Sequence, residues 1–179
     1  MISAKMADTI NTQINNEMYS AYLYMSMSAH SSTVGLKGLA TWFMVQYHEE
    51  MFHAMKMYNY VLDQGGEVHL LPIKEPPKTF ASALDMFEKT LDHEHFITKS
   101  INDIATLALK ENDHATYTFI QWYVNEQVEE EKNDTEILQQ LKRIGETGPG
   151  IFMLDGQLGA RTLTVQSDFS QGILPTAAP

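Results

Sequence analysis

His48-Glu49-Glu50-Met51-Phe52-His53 decides the reading of this chain. Glu50 and His53 stand three residues apart, so on a helix they project from one face, about one turn from each other. A Glu-x-x-His pair on an apolar helical seam is how four-helix bundles build di-iron or di-manganese sites. Alone the pair is a weak signal, because acid–histidine pairs at this spacing are common on solvated helix faces. Its weight depends on whether other helices supply partners at the same height.

The pair falls in a predicted helix from about residue 38 to 64. Its seam, Leu39, Phe43, Gln46, Glu50, His53, Met57 and Tyr60, steps by four and three, and Gly65-Gly66 stops it. Upstream, no proline or glycine interrupts residues 3–32, and Ser3 is an N-cap candidate. There Ile10, Ile14, Glu17, Ala21, Tyr24 and Ser28 form an inner seam, and Gly35 marks a short turn. Downstream, Pro72, Pro76 and Pro77 exclude a helix over residues 67–80. A helix of this length spans about 40 Å. A crossover of about 15 extended residues reaches about 50 Å, enough to run the length of the bundle. Loops this long are uncommon without such a task. The crossover therefore sets the second and third helices parallel, the ferritin-like topology among bundles.

Ser82 with Asp85 resembles a capping box opening the third helix. Its seam is Leu84, Phe87, Leu91, Glu94, Thr98, Ile101, Ala105 and Ala108. Asn112-Asp113 marks a turn and the next N-cap. The fourth seam is Thr116, Ile120, Tyr123, Gln127, Glu130, Asp134, Ile137 and Leu141. Gly145, Gly148, Pro149 and Gly150 break the chain before a short, apolar fifth helix beginning at Ile151-Phe152-Met153-Leu154, suited to a contact with the bundle end or other subunits. Periodicity fades from Arg161, and residues 174–179 read as a loose tail. The expected division is residues 1–160 as one di-metal domain and 161–179 as a C-terminal tail. The fold class is all-α: a four-helix bundle with one long crossover and a short fifth helix.

Composition narrows the chemistry. With no cysteine there is no disulfide framework, thiolate zinc site or cysteine-bound iron–sulfur cluster. A formal charge of −11 disfavours nucleic acid and anionic membranes and draws cations. No apolar run approaches the ~18 residues that span a bilayer. The first residues lack the hydrophobic core of a signal peptide, so the expected location is the cytoplasm, or an organelle if a leader was removed.

Four seams carry polar groups at one level: Glu17, then Glu50 and His53, then Glu94, then Gln127 and Glu130. Burying unpaired carboxylates costs several kcal/mol each, and converging ones repel. The seams hold no lysine or arginine at this level. The acids are therefore protonated or bind cations, and an oxygen-rich site with one imidazole suits iron(II) or manganese. The competing reading places the acids one residue out of phase, facing water; for any single residue it is the stronger, and for five aligned on four helices the weaker. Tyr24 lies two turns from Glu17 on the same face, either hydrogen-bonding a carboxylate or serving as a redox-active phenol. Glu49, Glu126 and Glu129 sit beside the seam, lining an entrance or an extra metal position, or simply solvated. His93 and His95 point off the seam, and Trp122 reads as packing.

Asn16-Glu17-Met18-Tyr19-Ser20-Ala21-Tyr22-Leu23-Tyr24 resembles the first helix of ferritins, and Glu49-Glu50-Met51-Phe52-His53 the second. The run from Gln121-Trp122-Tyr123 through Gln127-Val128-Glu129-Glu130-Glu131-Lys132 is similar to the fourth helix of non-haem prokaryotic-type ferritins. The resemblance spans about residues 1–158. It implies a homo-oligomeric shell of 24 subunits storing iron as a ferric oxy-hydroxide mineral. It also implies a ferroxidase that oxidises two iron(II) with O2 or H2O2. By position, Glu17, Glu50 and His53 bind the first iron, with Glu50 bridging; Glu50, Glu94 and Glu130 hold the second. Gln127 is an inner or hydrogen-bonding neighbour. Glu49, Glu126, Glu129 and Glu130 form a third site, and Tyr24 supplies an electron or orders the centre. A bacterioferritin with haem is the runner-up. It is disfavoured because Gln127-Val128-Glu129-Glu130 stands where a second Glu-x-x-His is needed, so haem is not expected. A rubrerythrin-like peroxidase lacks its cysteines here. A DNA-protecting mini-ferritin uses different helices, and a purely structural bundle leaves the aligned acids unexplained.

Overall fold

The computed structural model describes residues 2–145 and 148–165. Five helices follow one another: α1 (Ala4–Thr33), α2 (Lys37–Asp63), α3 (Ala83–Glu111), α4 (His114–Ile144) and α5 (Pro149–Leu158). No strand occurs among the described residues. The chain is all-α, as the seams predict. Side-chain oxygens cap three of the helices where the sequence places them. Ser3 Oγ accepts from Met6 N (3.0 Å), Ser82 Oγ from Asp85 N (3.1 Å) and Asp113 Oδ1 from Thr116 N (3.0 Å). Each satisfies a backbone donor that the first helical turn leaves unpaired. The box at Ser82 is half-formed: the Asp85 carboxylate turns to Ala81 N (3.0 Å). Asn112 ends α3 in the left-handed region, φ 55°.

The proline-rich crossover lies along α1. Asn11 Nδ2 donates to the Glu67 carbonyl (2.9 Å), Asn15 Nδ2 to that of Leu71 (3.1 Å), and Ser26 Oγ to that of Pro77 (2.6 Å). Both series of numbers rise together, so the crossover runs with α1, from the end where α2 stops to the end where α2 began. It delivers α3 parallel to α2, and two short turns make the other pairs antiparallel. Pro76 and Phe80 are its buried anchors.

Two apolar clusters fill the bundle. One, toward α5, holds Met27, Leu39, Phe43, Phe87 and Leu141; the other holds Ile10, Ile14, Met57, Ile101 and Ile120. Burying each large side chain contributes about 1.5–3 kcal/mol. Between the clusters lies a layer of buried polar side chains, among them Glu17, Glu50 and Glu94. Helix α5 closes the first cluster with Leu154 and Leu158. The α2 N-cap position, Leu36, has no oxygen to offer. Asp155 Oδ1 accepts from Leu39 N instead (2.8 Å), placing a carboxylate at a helix N-terminus. Close approach requires Gly38, where a Cβ would stand 1.6 Å from the Asp155 carbonyl oxygen. Phe152 and Met153 remain exposed on the far side of α5. Residues 161–165 follow α5 without regular structure, and the segment 174–179, read as a loose tail, lies outside the described residues. Among the described residues no helix is long and apolar enough to cross a membrane.

Candidate metal centre

Glu17 on α1 and Glu50 and His53 on α2 converge. Each offers a ligand atom within 4.8 Å of the others, and all three side chains are buried. His53 Nδ1 is 3.5 Å from Glu50 Oε2. Gln13 Nε2 donates to Glu17 Oε1 (2.9 Å), while Glu17 Oε2 is buried without a partner. That orphan oxygen costs stability in the bare protein and is ready for a cation. The imidazole is wedged edge-on between Trp122 and Tyr123, ring centroids 5.3 and 5.8 Å away, and Tyr123 Oη donates to its backbone carbonyl (2.8 Å).

Glu94 and Glu130 lie in the same buried layer, each held by a neutral donor. Tyr24 Oη donates to Glu94 Oε1, and Gln127 Nε2 donates to Glu94 Oε2 (3.0 Å). Gln46 Nε2 donates to Glu130 Oε2 (3.0 Å). Burial pushes the Glu17 and Glu50 carboxyls well above the usual range, and neighbouring carboxylates add to it. Glu130 is pushed up to about 8, by burial first and then by Glu94. Burial also raises the Tyr24 phenol, with Glu94 and Glu50 contributing, so it stays a donor. Carboxyls held this high surrender their protons to a cation that meets the same oxygens.

A family model for the ferritin-like domain matches residues 7–144. A bacterial non-heme ferritin of Campylobacter jejuni is 42% identical over 155 residues, covering 87% of this chain and 93% of the relative. Another, from Staphylococcus aureus, is 33% identical over 162 residues, covering 90% and 98%. An open-pore ferritin of Archaeoglobus fulgidus superposes with a TM-score of 0.89 at 46% identity, covering 90% of this chain and all of that one. The chain belongs to the ferritin family. That membership supports iron storage, and the bundle with one crossover and a fifth helix is the ferritin fold.

Other residues singled out in this ferritin fare unequally. Glu49 is buried, Glu126 is half-buried and Glu129 is exposed. Both Glu49 oxygens are engaged: Arg161 Nη2 donates to Oε2 (2.5 Å) and Thr164 Oγ1 to Oε1 (3.4 Å). Sequence reasoning missed Arg161, because it sought a cation on the four seams and this one arrives from beyond α5. A single arginine in a stretch without periodicity carries no spacing signal. His93 is half-buried off the seam, its Nε2 2.7 Å from Ser20 Oγ. Trp122 packs between His53 and Lys56, whose ammonium sits 3.1 Å from the ring centroid. Asp134, on the fourth seam, is fully buried with neither oxygen bonded, and burial, then Glu94 and Glu130, push its carboxyl up to about 9.

Proposed function

We propose that this ferritin is a ferroxidase, oxidising iron(II) at a di-iron centre within each subunit and storing the iron(III) as mineral inside a shell of 24 copies in the cytoplasm. The observation that carries this reading is the convergence of the buried side chains of Glu17, Glu50 and His53. Iron(II) is the substrate. Glu17, Glu50 and His53 hold one ion; Glu94 and Glu130, with Glu50 shared, hold the second. Glu49, Glu126, Glu129 and Glu130 form a third position beside them. Residues 1–160 form the di-iron unit and 161–179 its C-terminal appendage.

The side chains divide the work. Carboxylates neutralise the incoming charge, and the protons they held are released to solvent as the ion binds. His53, fixed edge-on by Trp122 and Tyr123, keeps one nitrogen aimed at the site. Gln127 and Tyr24 orient Glu94 from both of its oxygens. Two iron(II) together supply the two electrons that reduce O2 to the peroxide level or H2O2 to water. One-electron products are thereby avoided.

The test is anaerobic iron(II) loading followed by stopped-flow mixing with oxygen. A transient visible absorbance that saturates at about two irons per chain supports the centre. Oxidation no faster than that of iron(II) in buffer sinks the ferroxidase.

A further inference from the structure

Glu49, one turn before His53 on α2, belongs to the proposed third position, yet a cation of the protein's own already meets it. Arg161 lies three residues beyond the end of α5, and its guanidinium donates to Glu49 Oε2 at 2.5 Å. Thr164 takes the other oxygen. The guanidinium also sits over the Trp42 ring, Cζ 4.7 Å from the centroid, and its Nη1 is buried with no partner. Its positive field opposes the upward pKa shifts of Glu49, Glu130 and Asp134. One side chain thus supplies the positive charge that the four seams lack.

We propose that Arg161 is a placeholder cation: it occupies the Glu49 corner of the third metal position, and a divalent cation enters there by displacing it. The inference rests on the proposed third position. Two positive charges a few ångströms apart beside a largely buried carboxylate repel strongly, so metal and guanidinium exclude each other at Glu49. The means of exit is local. Arg161 and Thr164 sit on irregular backbone after Gly159, and the last backbone bond to α5 runs from Arg161 N to the Leu158 carbonyl (3.2 Å). The guanidinium leaves without unfolding α5, whose docking depends on Leu154, Leu158 and Asp155. The side chain is 21% exposed, already open to solvent on one side. Third-position affinity is thereby held down, favouring filling of the di-iron pair first.

The test is anaerobic calorimetric titration of the assembled, iron-free protein with zinc(II), in the wild type and in Arg161→Ala, Arg161→Lys and Glu49→Gln. Wild type is expected to show two tight events and a weak third. Arg161→Ala is expected to tighten the third about ten- to hundredfold, the range of a lost charge-assisted hydrogen bond, with the tight pair intact. Arg161→Lys retains a charge and keeps the third event weak; Glu49→Gln removes it. Tryptophan emission gives a second readout, because Trp42 loses its stacked guanidinium when the third zinc enters. That emission change is expected in wild type and absent in Arg161→Ala. A third event of equal affinity in wild type and Arg161→Ala, beside an intact tight pair, overturns the placeholder alone. Absence of the tight pair in wild type overturns the di-iron reading itself.

Discussion

The phenol of Tyr24 donates its hydrogen bond to Oε1 of Glu94, tying α1 to α3 at the level of the metal layer. With Gln127 on the other oxygen, Glu94 is aimed from two sides. Hydrogen bonds to charged groups contribute roughly 1.5–3 kcal/mol, so an unheld carboxylate loses about tenfold or more of its correctly oriented population. Tyr24→Phe keeps the ring stacked on Phe43 and removes only the donor. Initial iron(II) oxidation in the stopped-flow assay is expected to slow about tenfold, with two zinc(II) still bound per chain. An unchanged rate would leave Tyr24 as core packing.

Asp134 sets a pH dependence on the metal-free protein. Its ordinary value is 3.8, and in the fold it stands at about 9. Glu94, Glu130 and Glu131 push it up beyond burial, and Arg161 pulls it down. Below the ordinary value both folded and unfolded chains carry the proton, and its contribution is fully present. As pH rises the unfolded chain ionises first, so stability falls up to the folded value and then levels. Asp134→Asn removes the titrating group. Its unfolding free energy is expected to approach the wild type's at pH 5 and to exceed it at pH 8 by on the order of a few kcal/mol, with a correspondingly higher melting temperature. Parallel melting curves across that range would refute the assignment.

Much of the bundle was legible because periodicity survives burial. Glu17, Glu50, His53, Glu94, Gln127 and Glu130 are buried, as their seams predict, and Ser3, Ser82 and Asp113 cap the helices they open. Both rest on local geometry that repeats every turn. Arg161 and Asp155 were not legible, because each acts across more than a hundred residues, on Glu49 and on Leu39 N. Nothing in the spacing around Glu49 tells that a side chain over 110 positions later covers it. Asp134 was visible as a seam residue, but its lack of any partner is a property of packing alone.

Gly38 tests how α5 is seated. A methyl group there would overlap the Asp155 carbonyl oxygen at 1.6 Å, a backbone atom with no flexible side chain to give way. Overpacking of this kind costs about 1–3 kcal/mol or more. Gly38→Ala is expected to lower the melting temperature and to make the segment after residue 145 sensitive to limited proteolysis. An intact α5 under protease, with wild-type melting, would show that the helix pair can slide apart at no cost.

Proton release should accompany metal binding, with a sign opposite to that of the bare protein's stability. Glu17 and Glu50 are held well above the carboxylate range and Glu130 at about 8, so near neutral pH the empty centre retains protons. A divalent ion binds the carboxylates and expels them. Zinc(II) affinity for the tight pair is therefore expected to rise from pH 6 toward 8, where Glu130 ceases to hold its proton and its contribution levels off. Calorimetry in buffers of different ionisation enthalpy reads the protons directly. Release per zinc should be larger at pH 6.5 than at pH 8.5, and Glu130→Ala should lower it at the acid end. If wild type released no protons at pH 6.5, the carboxyls would already be ionised in the empty site, and cation pairing from Arg161 would have to outweigh their burial.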